Sequence, residues 1–194
     1  MNAYDFDNTI YDGESIYDFF IFAIKTDKRL LKFFPRIFIL LIKYKLNKVK
    51  ITDIYDTASL VIEYFINESN LSIDEMVSSF WVKNEHKLKK EFLNMLKSDD
   101  LIITGCPNFL IEYVKPKLKT DNIICTDYDT INNKINFICL GENKVKAFNE
   151  KYKNVKINKF YTDSLVDSPF MKISNEVYLV KKNKIIKISK QDIK

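Results

Sequence analysis

Two aspartates, Asp5 and Asp7, stand two positions apart in the run DFDNT near the start of the chain. The short apolar segment 2–6 predicts a strand, and residues two apart on a strand share a face, so both carboxylates leave its end together. Crowded carboxylates raise one another's pKa unless a cation lies between them. A hard divalent ion such as Mg²⁺, which prefers oxygen ligands, meets that need. Further polar groups recur at comparable places: Thr104-Gly105 after LIIT, Gly141-Glu142-Asn143-Lys144 before a helical pattern, and Thr162-Asp163-Ser164 with Asp167 four residues on. Carboxylates, a hydroxyl and an ammonium make up the inventory of a phosphoryl-transfer site. In such a site a metal and a Lys neutralise phosphoryl charge, one carboxylate attacks, and a hydroxyl orients the group. The second carboxylate separates a hydrolase from a phosphate binder, because a general acid and base contributes about 10²- to 10⁴-fold.

To bring these groups together the chain needs strands that end where they stand. From residue 15 to about 97 the apolar spacing is helical, in runs over 15–25, 30–46, 52–65 and 72–96, with breaks at 47–50 and 67–71. Ser72 and Glu75 form a capping box at the head of the last run. After Asp99 strand and helix alternate: LIIT at 101–104, a helix from near Pro107, NIIC at 122–125, INFICL at 135–140, a helix over 142–152, KFYTD at 159–163, a short helix after Ser164, and EVYLV at 176–180. Apolar strands separated by helices imply a parallel sheet covered on both faces. The expected fold is therefore α/β, a three-layer Rossmann-like core of residues 1–13 and 99–194 with an inserted all-helical domain over 14–98. Segment 126–138 reads either as a crossover or as a hairpin. In such sheets ligands bind beyond the carboxyl ends of the strands, where the polar motifs fall.

Composition narrows the function classes. The 194 residues carry 31 Lys and Arg against 26 Asp and Glu, a net charge of +5, and the basic residues are interspersed with acidic ones, so no nucleic-acid partner is expected. With 46% hydrophobic and 14% aromatic residues and only three Gly and four Pro, the chain is a packed globular protein. Three cysteines, Cys106, Cys125 and Cys139, without CxxC spacing exclude a zinc knuckle or disulfide framework and point to a reducing, cytoplasmic setting. No signal peptide is visible at the start. The greasiest stretch, 30–46, is interrupted by Lys32, Arg36, Lys43 and Lys45 and is too broken to span a bilayer. On a helical wheel Lys32, Arg36 and Lys43 form a stripe opposite an apolar face, so this segment either buries that face in a bundle or makes a peripheral membrane contact.

The four motifs in this order resemble the haloacid dehalogenase superfamily, specifically its phosphatases with a helical cap after the first motif: DFDNT, LIITG, GENK and YTDSLVD. The resemblance implies that Asp5 is the nucleophile and forms an aspartyl-phosphate, while Asp7 protonates the leaving oxygen and then activates water. It implies that Thr104, with Gly105, binds the transferring phosphoryl group and that Lys144 bridges it to the nucleophile. It further implies a Mg²⁺ ion held by Asp5, the backbone carbonyl of Asp7 and Asp163, with Asp167 holding metal waters or Lys144. Dehalogenases of the superfamily lack the second Asp, which favours a phosphatase acting on a small-molecule phosphate ester.

Glu14, nine residues after Asp5, occupies the place where phosphoserine phosphatases of the superfamily contact the substrate amine. Their carboxylate-reading Arg has no convincing counterpart in Arg29 or Arg36, and Lys48 or Lys50 lacks the bidentate fork. LIITGCPNFLIEYV, ICLGENKVKAF and YTDSLVDSPFM also resemble bacterial lipid phosphatases of the phosphatidylglycerophosphatase C type, for which the basic apolar segment 30–46 would be a surface device. A phosphotransferase on the same fold is the remaining alternative, and the spacing sets no oligomeric state. His86 reads as solvated, Trp81 as core, Cys106 as a small residue at a helix start, Asp127 and Asp129 as turn residues, and Asp99 and Asp100 as caps on a strand entry.

Overall fold

The computed structural model describes every residue except 47, 49, 50, 69–71, 183 and 194, so most of the two breaks between helices, and Lys50, lie outside the described residues. Seven strands, β1 (Ala3–Tyr4), β2 (Leu101–Pro107), β3 (Ile123–Asp129), β4 (Lys134–Phe137), β5 (Ile157–Thr162), β6 (Ser174–Lys181) and β7 (Lys184–Ile188), form one sheet in the order β4-β3-β2-β1-β5-β6-β7. The central pairs β3-β2, β2-β1, β1-β5 and β5-β6 are parallel, and both edges are antiparallel hairpins. Segment 126–138 is thus a hairpin, turned at Asn133 with φ +50. The edge strand β7 was not expected from the sequence; its Lys residues leave an exposed edge charged, which discourages further pairing.

Alternation along the strands builds three layers. Ala3, Leu101, Ile103, Phe160 and Val177 point to one face, packed under α7 (Glu142–Lys151) and α8 (Ser168–Ile173). Tyr4, Ile102 and Tyr161 point to the other, where α1 (Ser15–Thr26), α4 (Ile73–Asn84), α5 (Lys90–Met95) and α6 (Asn108–Val114) cover them. With both faces buried, β2 reads as a continuous apolar run instead of an alternating one. On the second face Tyr4, Tyr161 and Tyr178 stack across three strands at 4.8 and 4.9 Å between rings.

The helices between β1 and β2 follow their periodic runs with two interruptions. The run 30–46 divides into a 3₁₀ helix (Lys28–Phe33) and α2 (Phe34–Lys45), since Pro35 has no N–H to give to a preceding turn. After it comes α3 (Ile51–Asn67). The run 72–96 divides at Leu88, which leaves the helix to bridge Tyr11 in antiparallel fashion. There the outgoing and returning chains are laced side by side: Lys89 N–H donates to Ile10 O at 2.8 Å, Asp12 N–H to Lys87 O at 2.9 Å, and Lys89 Nζ to Asn8 O at 2.7 Å. Ser72 and Glu75 do form the capping box that starts α4.

On α2, Ile37 is buried, while Phe34, Phe38 and Ile42 on the same apolar side and Leu46 just beyond it are 43 to 59% exposed. Of the basic stripe, Lys32 pairs with Glu68 at 2.8 Å and Lys43 with Asp53 at 2.9 Å. No helix among the described residues is long and apolar enough to cross a membrane.

Candidate active site

Register alone brings the motifs together. Tyr4 lies beside Tyr161 on one side and Ile102 on the other, so Asp5 leaves β1 next to Thr162-Asp163 and one step from Thr104. Asp5 N–H donates to Tyr161 O at 2.8 Å, which fixes the strand to its very end. On the far side of the pole, Gly141 starts α7 with φ +52 and ψ −124, a conformation that only glycine adopts freely. This abrupt turn places Lys144, in the first turn of α7, against the strand ends. Its buried ammonium donates to Asp5 Oδ1 at 3.0 Å and to Asp167 Oδ2 at 2.9 Å. Asp167 in turn accepts from the Thr162 hydroxyl at 2.8 Å, so the chain Asp5–Lys144–Asp167–Thr162 is fully partnered.

Asp7 has no cation. Its Oδ1 accepts the Ser15 N–H at 2.8 Å, at the head of α1. The loop between them turns at Asn8, with φ +55, whose side-chain amide donates to Glu14 Oε1 at 2.8 Å. Ser15 Oγ lies 3.0 Å from Cys106 Sγ, and Cys106 N–H donates to Thr104 Oγ1 at 3.0 Å, tying the first helix to the end of β2. Gly105 lies flat against its neighbour: an added Cβ would meet Leu140 Cδ2 at 2.7 Å.

The charges are unbalanced. Burial, with Glu14 behind it, pushes the Asp7 carboxyl well above the ordinary range, against the pull of Ser15. Burial also raises Asp5 to about 7, Lys144 lowering it and Asp167 and Asp163 raising it further. Asp163 is lifted to about 6 by burial, Glu14 and Asp167. Glu14 rises through burial and Asp5. Burial draws Lys144 toward neutrality, but Asp167 and Asp5 outweigh it and hold the ammonium charged. Among the described residues no cation pairs with Asp163, and no three metal-ligating side chains already close on one point. An all-oxygen donor set with one unneutralised carboxylate and mutually raised pKa values suits a hard divalent cation at Asp5 and Asp163.

All the predicted site residues, Asp5, Asp7, Glu14, Thr104, Gly105, Lys144, Asp163 and Asp167, line one cavity of about 250 Å³. Its other walls come from α1, α2, α3, α6 and the β3-β4 hairpin. Thr162, quoted in the fourth motif without a role, orients Asp167, and Ser15, which no motif singled out, orients Asp7. Arg29 is paired with Asp27 at 2.7 Å, outside the cavity. Asp129 accepts the N–H groups of Ile131 and Asn132 in the hairpin turn, and Asp100 holds Asn2 N–H at 2.9 Å. His86 is exposed, and Trp81 is buried with its indole N–H on Leu110 O.

The strand ends of a parallel α/β core thus gather paired carboxylates and a Lys at one cavity. The chain belongs to the haloacid dehalogenase-like hydrolases, whose family model matches residues 3–172. Solved structures carry the same fold. A protein of unknown function from Bordetella pertussis Tohama I superposes with a TM-score of 0.73 at 15% identity, over 91% of this chain and 87% of that one. A phosphoserine phosphohydrolase-like protein from Francisella tularensis subsp. tularensis SCHU S4 gives 0.60 at 16% identity, over 91% and 86%. A HAD family hydrolase from Salmonella enterica subsp. enterica serovar Typhi gives 0.58 at 11%, over 89% of this chain and 59% of that one. Among curated proteins no sequence matches significantly.

Proposed function

We propose that the protein is a Mg²⁺-dependent phosphomonoester hydrolase working through an aspartyl-phosphate on Asp5, with residues 1–13 and 99–194 as catalytic core and 14–98 as a cap over the cavity. The observation that carries this is the contrast between two carboxylates from one strand end. Asp5 faces an ammonium, while Asp7 faces another carboxylate and a single N–H. Environments that drive a pair of acids apart assign nucleophile and acid.

In the first step an Asp5 oxygen bonds to phosphorus, the ester P–O bond breaks, and the leaving oxygen takes the Asp7 proton. In the second, Asp7 accepts a proton from water as the hydroxide oxygen bonds to phosphorus, the acyl-phosphate P–O bond breaks, and inorganic phosphate leaves with Asp5 restored. Lys144 keeps Asp5 oriented and shares the charge on the phosphoryl oxygens. Thr104 offers its hydroxyl proton, since its oxygen already accepts from Cys106. Held by Asp5, Asp163 and the Asp7 carbonyl, Mg²⁺ would supply charge neutralisation for phosphate in an otherwise anionic site.

Mg²⁺-dependent phosphate release from a panel of phosphomonoesters, with Asp5→Asn as control, tests this reading; full turnover in that variant would refute it. Added alcohol acceptors separate a phosphotransferase, which would yield new esters instead of phosphate. The exposed apolar ridge Phe34, Phe38, Ile42 and Leu46 favours a second reading, action on a lipid phosphate at a membrane surface. Sedimentation with anionic and neutral vesicles decides it, and absence of binding to either removes it.

A further inference from the structure

The cavity has two chemically distinct ends, and the second specifies the alcohol. Away from the strand ends its walls are Phe19 and Phe20 of α1, Ile37 and Leu40 of α2, Val61 of α3 and Phe109 of α6. The ring of Phe109 meets those of Phe19 and Tyr128 edge to face, at 6.0 and 6.2 Å, so the aromatic wall is braced. Three hydroxyls along this wall already donate to the protein. Thr57 Oγ1 donates to Asp53 O at 2.7 Å, Thr126 Oγ1 donates to Gly105 O at 2.8 Å, and the Tyr128 hydroxyl is bonded to Asn133. Among the described hydroxyls that line the cavity away from the strand ends, only that of Tyr17, near Glu14 and Asp7, keeps a proton to offer, so most polar leaving groups would give up water without replacement, and an unpaired polar group buried here costs on the order of a hydrogen bond or more.

Charge narrows the ligand further. Among the described residues lining the cavity, Lys144 is the one cation, and it is taken by Asp5 and Asp167. Glu14, partly buried and bonded by Asn8, and Asp7 line the same cavity. A second anion on the substrate, whether an amino-acid carboxylate or a phosphodiester a few carbons away, would meet carboxylates and hydrocarbon and no positive partner.

We infer that the substrate is the phosphate monoester of a compact apolar alcohol without a second negative charge. The inference rests on the phosphatase reading above and adds the leaving group to it. At about 250 Å³ the cavity falls below the usual 300–1,000 Å³ range for ligand pockets, so the alcohol is small.

The test is a series of n-alkyl monophosphates, methyl to octyl, each kept below its micelle concentration, beside O-phosphoserine and glycerol 3-phosphate. The same alkyl chains as non-hydrolysable phosphonates are titrated calorimetrically. The expected result is a kcat/KM that climbs about three- to fourfold per methylene until the cavity is full, matched by phosphonate affinity. Phosphoserine and glycerol phosphate should then fall at least about tenfold below butyl phosphate, the penalty of an unmatched polar or charged group. Val61→Phe, and Ile135→Phe should the first not fold, shorten the chain at which the climb stops.

Flat series in both arms, or phosphoserine as the best ester, overturns the inference. If a small activated ester turns over through Asp5 while both series stay flat, the inference falls alone. If phosphonate affinity climbs while no ester is hydrolysed, the pocket stands and the phosphatase reading falls.

Discussion

The two ends of the cavity are built by different means. At the strand end every group is set by backbone register and by a closed chain of contacts from Asp5 through Lys144 and Asp167 to Thr162. At the helical end, residues of α1, α2, α3 and α6 contribute side chains that need only be apolar and of the right size. The first end has little freedom, because a buried charge that loses its partner is expensive. The second can drift, since volume-conserving apolar exchanges cost little. On the proposed function, chemistry is therefore held where packing is least forgiving, and selectivity where it is most forgiving.

That contrast can be broken at the strand end first. Asp5→Asn removes the proposed attacking oxygen and should cut kcat by roughly 10⁴- to 10⁶-fold, the scale seen when a nucleophile is lost. Asp7→Asn should cost about 10²- to 10⁴-fold, and acid quenching should trap phosphorylated protein if dephosphorylation has become the slow step. Lys144→Met leaves Asp5 and Asp167 buried without their ammonium and should lower stability by about 3–5 kcal/mol in denaturant titration.

A smaller effect follows from the raised carboxylates. Folded and without metal, Asp163 ionises at about 6, against 3.8 as a free side chain. Over that interval the folded chain holds a proton that the unfolded chain has released, so the favourable contribution present below about pH 4 is lost as pH rises through 6. In chelator at pH 7.5 Asp163→Asn should therefore melt above wild type, and the gap should close at pH 4. Added Mg²⁺ at pH 7.5 should reverse the order. At the helical end, Val61→Ala removes two methyl-sized groups and should raise KM for a chain-bearing ester about five- to tenfold with kcat unchanged; a fall in kcat instead would mean that the two ends are coupled.

The same division explains what the sequence made legible. Asp5, Asp7, Thr104, Lys144, Asp163 and Asp167 stand at fixed offsets from strand ends, so their convergence follows from a parallel sheet without knowledge of packing. The periodicity that placed α1 and α3 rests on equally local rules. It failed at Leu88, where pairing with Tyr11 outcompetes a helical pattern, and at β7, whose Lys-Ile-Ile-Lys-Ile run lacks strand alternation and pairs only because β6 supplies an edge. The cavity wall was not legible at all: Phe19, Val61, Phe109 and Ile135 lie far apart in the chain, and each looks like an ordinary core residue until the fold sets them around one space.

The laced strap at Ile10, Asp12, Lys87 and Lys89 has a thermodynamic consequence. It brings together the two ends of the long helical excursion between β1 and β2, so the core meets that excursion as a closed loop. Loop-closure entropy grows only as the logarithm of length, about 0.6 kcal/mol for each doubling. The closure cost is therefore almost indifferent to how many residues lie between α1 and α4, the helices that cover the sheet. Exchange of α2 and α3, with the strap and the sheet-covering helices α1, α4 and α5 retained, would change the wall of the cavity at small cost to folding.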